Sequence, residues 1–156
     1  MSNFSYLLQN STKDEVLRVL AEKLNNSDEA DFWKEKIIPY VRIILTLLFP
    51  LKEEKLLFTP EGEKVDILDS ELFFRWADLV CLRVLYFIIK QSNEENQLLR
   101  TKYQNKNYKF INVEEVENYL LQNRINITNE DILDFPVATY NLHIGINSII
   151  KNLFNN

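Results

Sequence analysis

Residues 31–57 read DFWKEKIIPYVRIILTLLFPLKEEKLL, from Asp31 to Leu57. Trp33, Ile37, Tyr40, Val41, Ile44, Leu47 and Leu48 recur there at three- and four-residue steps, one continuous stripe on a helix. Ile38, Leu45 and Phe49 widen the stripe until only Lys34, Glu35, Arg42 and Thr46 are clear solvent candidates. A helix apolar on so many sides belongs in the centre of a bundle. Pro39 removes one backbone donor and predicts a kink or break, and Pro50 predicts the stop.

The rest of the chain supplies partners for that helix. Phe4, Leu7 and Leu8 share a face of a short first helix. Thr12 and Glu15 form a capping box ahead of Val16, Leu17, Leu20, Ala21 and Leu24, with Asn25 and Asn26 ending that helix. Ser27 or Asp28 is the expected cap of the central helix, with Asp28, Glu29 and Asp31 placed well for its dipole. Between Leu51 and Leu68 the rhythm breaks around Thr59-Pro60-Glu61-Gly62, which predicts a short hairpin or extended segment near 55–68.

Ser70 then opens a long helix to about Lys90, carrying Phe73, Trp76, Ala77, Val80, Val84, Phe87 and Ile88 on one face. Trp33 and Trp76 are the expected core anchors joining the two apolar helices. Ser92 with Glu95 and Asn112 with Glu115 suggest two more helix starts. Residues 104–109 read as an exposed mobile loop, Thr128 as the start of a short helix, and Pro136 as the break before a final helix to about Phe154. About seven helices result. The expectation is an all-α, compact bundle forming a single domain over residues 1–156.

Composition agrees. Two glycines and four prolines are too few for the turns of a sandwich or barrel. Hydrophobic residues at 46% and charged residues at 26% place the chain outside the disordered class. A formal charge of −5 disfavours direct contact with nucleic acid phosphates. The longest apolar run, Ile37 to Phe49, falls short of the roughly 20 residues of a membrane span, so no membrane insertion by this chain is expected.

Catalytic and cofactor patterns are sparse. Gly62 and Gly145 lie far apart and build no phosphate loop, and one cysteine with one histidine makes no usual zinc site. Cys81 reads as a buried thiol on an apolar helix, and His143 as a core or boundary histidine. Glu53 with Glu54, and Asp66 with Asp69, read as solvated or capping acids, not as an acid–base pair. Lys102, Lys106 and Lys109 interleave with Tyr103 and Tyr108 as single-strand binders do, but the net charge favours a solvated loop. The expectation is no catalytic residue, no metal and no cofactor.

Two stretches resemble a known family. Phe32-Trp33-Lys34-Glu35-Lys36, the apolar helix after it, and Leu51-Lys52-Glu53-Glu54-Lys55-Leu56-Leu57-Phe58-Thr59-Pro60 resemble the all-alpha domain of type IV secretion coupling proteins. Phe135-Pro136 and Thr139-Tyr140-Asn141-Leu142-His143-Ile144-Gly145 resemble the segment where that family re-enters its nucleotide-binding domain. The second stretch departs from the family pattern, with Leu142 in place of glutamine and Ile144 between His143 and Gly145. The asparagine-, lysine- and isoleucine-rich wording is most similar to the Cag effector-secretion branch.

That resemblance implies a domain excised from a larger, membrane-anchored, hexameric ATPase. The domain itself would lack the nucleotide site. It would recruit secreted effectors, chaperones or small accessory proteins at the cytoplasmic face of the bacterial inner membrane. The expected contact residues are Lys52, Glu53, Glu54 and Lys55 after the central helix, with Tyr103, Tyr108 and Phe110 in the polar loop. Aromatic anchors dominate interfaces, which ranks the tyrosines first. A stand-alone helical adaptor or secretion chaperone is the second reading, and a DNA-binding helical domain of a conjugative system the third.

Overall fold

The apolar stripe of the opening stretch becomes α3 (Asp31–Glu53), with ten buried side chains between Ile37 and Leu51. The structure is a computed structural model that describes residues 3–155. Around α3 lie α1 (Asn3–Asn10), α2 (Lys13–Asn25), α4 (Ser70–Ala77), α5 (Leu79–Glu95), α6 (Glu114–Gln122) and α7 (Val137–Phe154). α3 packs against α2, α4, α5, α6 and α7, which makes it the hub. The fold is all-α, with one hydrophobic core.

Both prolines of α3 lie inside it, and the helix runs past Pro50 to Glu53. Each proline forfeits one backbone hydrogen bond, but burial of Ile37, Tyr40 and Val41 around the first, and of Phe49 and Leu51 around the second, holds the helix together. The end is instead set by Lys55 at φ 58. Leu56 N donates to Leu51 O at 2.7 Å and Lys55 N to Lys52 O at 3.2 Å, the paired bonds of a Schellman ending. Lys55 holds a left-handed position that usually falls to glycine, in a chain with two glycines. α6 ends the same way on Arg124, with Ile125 N bonded to Leu120 O and Arg124 N to Leu121 O.

The caps differ from several expectations. Thr12 does cap α2, its hydroxyl accepting from Glu15 N at 3.2 Å. α3 starts at Ala30 with no side-chain cap, leaving Ser27 and Asp28 outside. Asp69, not Ser70, caps α4 by accepting from Leu72 N. Asn112 accepts from Glu114 N, one residue ahead of the N-cap position Val113.

The long helix expected from Ser70 to Lys90 is two. Asp78 adopts φ −59, ψ 129, ending α4 and capping α5 through Cys81 N. The break leaves the Ala77 carbonyl without a helical partner. Tyr40 O–H from α3 donates to it at 2.5 Å and Asn147 from α7 at 2.8 Å. Ser92 lies inside α5, and no separate helix follows it; its hydroxyl accepts from Leu99 N. The residues after Thr128 form a loop, not a helix.

The predicted hairpin reduces to a single antiparallel bridge between Phe58 and Lys64, around a turn closed by Gly62 N to Thr59 O. Phe58 turns inward instead of extending the ladder, meeting Trp76 edge to face, and its carbonyl accepts from the Trp76 indole at 2.9 Å. Trp33 serves a different interface. Its ring lies over Gly145 of α7. The two tryptophans therefore anchor separate joints of the bundle.

Candidate functional site

The end of α3, the start of α2 and residues 110–112 enclose a groove of about 680 Å³. Its floor is apolar, from Leu45, Phe49, Pro50 and Ile111, and its walls carry Lys13, Asp14, Lys52 and Glu53. Lys52 Nζ donates to the Leu8 carbonyl at 2.7 Å and lies over the Phe49 ring at 4.7 Å. Its pKa is lowered, first by desolvation, with Glu53 acting in the opposite direction. Lys13 Nζ donates to the Thr46 hydroxyl at 2.8 Å. Both lysines thus line the groove with one donor already committed to the protein.

A smaller groove of about 200 Å³ adjoins, lined in part by Glu54, Tyr108, Lys109 and Phe110. Lys109 reaches Glu54 at 2.9 Å, tying the strip to the end of α3. Asn93 of α5 holds the strip from beneath. Its amide donates to Ile111 O at 2.8 Å, and its oxygen accepts from Ile111 N at 3.0 Å and from the Tyr108 hydroxyl. Tyr108 and Ile111 turn inward, and Phe110 between them is 71% exposed. An exposed phenylalanine on a backbone fixed by the half-buried Asn93 clamp is preorganised to bind, because little ordering entropy is left to lose.

Of the expected contact residues, the structure gathers Lys52, Glu53, Glu54, Tyr108 and Phe110 around these two grooves. Lys55 and Tyr103 are placed elsewhere. Lys55 occupies the left-handed helix end, and the Tyr103 hydroxyl donates to Leu56 O at 2.6 Å, bracing the turn after α3. Burial pushes the Tyr103 and Tyr108 hydroxyls up to about 12, so both stay protonated as donors. Their polar ends face the protein, which leaves Phe110 as the free aromatic. Asn93 and Lys13 were not singled out by the sequence; Asn93 sits in a polar Ser-Asn-Glu-Glu run that carries no tertiary signal.

The chain's single histidine lies buried between α6 and α7. His143 Nδ1–H donates to Thr139 O at 2.7 Å, which leaves Nε2 to accept from the Tyr119 hydroxyl at 2.7 Å. Tyr40 packs edge to face on the ring at 4.6 Å. Burial holds the His143 pKa below the ordinary histidine range, offset in part by the bond to Thr139. Both nitrogens are committed to structure. Burial, helped by Asp78, pushes the Cys81 thiol up to about 11, which keeps it protonated and weakly nucleophilic.

Among the described residues no three His, Cys, Asp or Glu side chains group as a metal site would. No helix among them is long and apolar enough to cross a membrane. Compared with known proteins, the chain matches no family model, no curated protein and no solved structure.

Proposed function

We propose that this chain is a non-catalytic recognition domain that holds a segment of a protein partner in the groove beside Phe110. The observation that carries the reading is the strip 108–111, clamped by Asn93 so that Phe110 stands exposed above an apolar floor flanked by Lys52 and Glu53. A preorganised aromatic over a groove is how protein interfaces concentrate binding energy.

The proposed setting is a type IV secretion coupling ATPase, with a secreted effector, chaperone or accessory protein as the partner at the cytoplasmic face of the inner membrane. It rests on the resemblance of the Trp33 stretch and of the Thr139–Gly145 stretch. The contact between Trp33 and Gly145 supports it, since the two stretches meet in space although 112 residues separate them.

Two measurements test the proposal. With a photo-crosslinking phenylalanine analogue at position 110 in the native cell, the expected product joins the domain to a secreted substrate or its chaperone. The same analogue at exposed Glu94 serves as the control. Phe110→Asp should then abolish co-purification of that partner; full retention would remove the groove assignment. The genomic reading frame tests the setting. Flanking membrane-spanning and phosphate-loop sequence supports a coupling ATPase, and a frame closed at this length favours a stand-alone adaptor.

A further inference from the structure

A second surface is built on different elements. Arg83 of α5 is buried, and a buried guanidinium is tolerated only when its donors are satisfied. It donates through Nε to Asn126 O at 2.7 Å, through Nη1 to Glu130 O at 2.9 Å, and through Nη2 to Asn129 O at 2.8 Å and Ile132 O at 2.7 Å. Four carbonyls of one loop therefore converge on one side chain. Asn126 N closes the loop on Asp134 O, and Arg100 pairs with Glu130 on its outer side.

The loop fixed in this way presents apolar residues to solvent. Ile132 is 49% exposed and Leu133 54%, and α7 continues with Val137 at 75% and Ile144 at 51%. Val137 and Ile144 lie two turns apart on one helical face, about 10 Å along the axis, with Tyr140 between them. Phe135 stacks on the Tyr140 ring, which supports the stripe from below. Exposed apolar groups held by so many internal bonds mark an interaction surface rather than slack chain.

Charge selects the occupant. Between Arg124 and Lys151 there is no lysine or arginine, while Glu130, Asp131 and Asp134 are acidic. Glu130 is neutralised by Arg100, and Asp131 and Asp134 are exposed beside Ile132 and Leu133. From this we infer that the face formed by the 131–134 loop and the outer stripe of α7 binds a cationic amphipathic helix of a protein partner. Apolar residues of that helix seven positions apart, about 10 Å along its axis, cover Val137 and Ile144, a further one covers Leu133, and its lysines or arginines meet Asp131 and Asp134. On a second copy using the same face, the flanking Arg100 is already committed to Glu130 and is not free for those carboxylates.

The test uses the whole chain and an 18-residue Lys–Leu amphipathic helical peptide, with a Glu–Leu peptide of the same pattern as control, read by fluorescence anisotropy. The Lys–Leu peptide binds and the Glu–Leu peptide does not. Val137→Asp with Ile144→Asp weakens binding at least about tenfold, as loss of interface anchors does. Asp131→Asn with Asp134→Asn weakens it and flattens its salt dependence, whereas Glu94→Gln with Glu95→Gln leaves it unchanged.

Amide chemical-shift changes in the unaltered protein fall on residues 131–144, a readout that does not depend on any variant folding. Phe110→Asp leaves peptide binding intact, which separates this surface from the groove. Equal binding of both peptides, shift changes elsewhere, or a concentration-dependent dimer abolished by Val137→Asp with Ile144→Asp would overturn the inference.

Discussion

Gly145→Ala sets two effects of known sign against each other. In a helix interior alanine is favoured over glycine by about 0.5–1 kcal/mol. An added Cβ, however, would lie 2.6 Å from Trp33 Cη2 and 3.1 Å from Cζ3. Ordinary carbon contacts lie near 3.5–4.0 Å, so the indole must retreat by roughly 1 Å. Lifting a rigid ring off α7 gives up packing across its face, and overpacking of this kind costs about 1–3 kcal/mol. Sterics exceed propensity, and the substitution destabilises by about 0.5–2 kcal/mol.

In a Trp33→Ala background the obstruction is gone, and the same substitution should stabilise by about 0.5–1 kcal/mol. Urea denaturation followed by far-ultraviolet circular dichroism gives all four corners of the double-mutant cycle without relying on tryptophan emission. A change of sign between backgrounds is the expected result. Equal effects of Gly145→Ala in both would refute the idea that Trp33 dictates glycine at this position.

Three further outcomes follow from other parts of the bundle. Because the folded state resists protonation of His143, the unfolded chain binds the extra proton; this stability is complete above about pH 6.5, the unfolded value, and is lost as pH falls through the lowered folded value. The urea midpoint should drop on that descent, and His143→Gln, less stable at neutral pH, should lose that part of the slope. Lys55→Gly and Arg124→Gly relieve left-handed strain and should each stabilise by about 0.5–1 kcal/mol in the same urea assay. Arg83→Met leaves four loop carbonyls without their donor and should cost about 3–5 kcal/mol, with new proteolytic cuts between Asn126 and Asp134 under limited digestion.

Helical class and the central place of α3 were legible because a three- and four-residue apolar rhythm survives without knowledge of the neighbours. The same rhythm hid the break at Asp78, since Ala77, Leu79 and Leu82 keep the apolar rows going while a single aspartate changes the backbone. Prolines misled in the opposite direction. Pro39 reads as a kink or break and Pro50 as a stop, yet packing on the rest of α3 outweighs one missing hydrogen bond each and the helix runs through both. The number of helices came out near seven, but by different membership: one expected helix became two, while those after Ser92 and Thr128 did not form.

The residues around the groove were partly visible, as polar positions after an apolar run. What assembles them was not. Asn93 and Arg83 act on segments 15 to 49 residues away, through hydrogen bonds that leave no local pattern. Tyr103 and Tyr108 looked like surface aromatics because their neighbours are lysine and asparagine, yet each finds an oxygen acceptor within the protein for its hydroxyl.

The Ala77 carbonyl, shared by Tyr40 and Asn147 at the junction of α4 and α5, makes one peptide unit the fastening for four helices. Fraying at that junction cannot proceed locally, because it strips partners from the first half of the chain and from its last helix at once. The amides flanking Ala77 should therefore exchange with solvent only through global opening, with the same free energy and denaturant sensitivity as those in the middle of α3. A break in a helix, ordinarily a place where a chain loosens, is here where the molecule's cooperativity is concentrated.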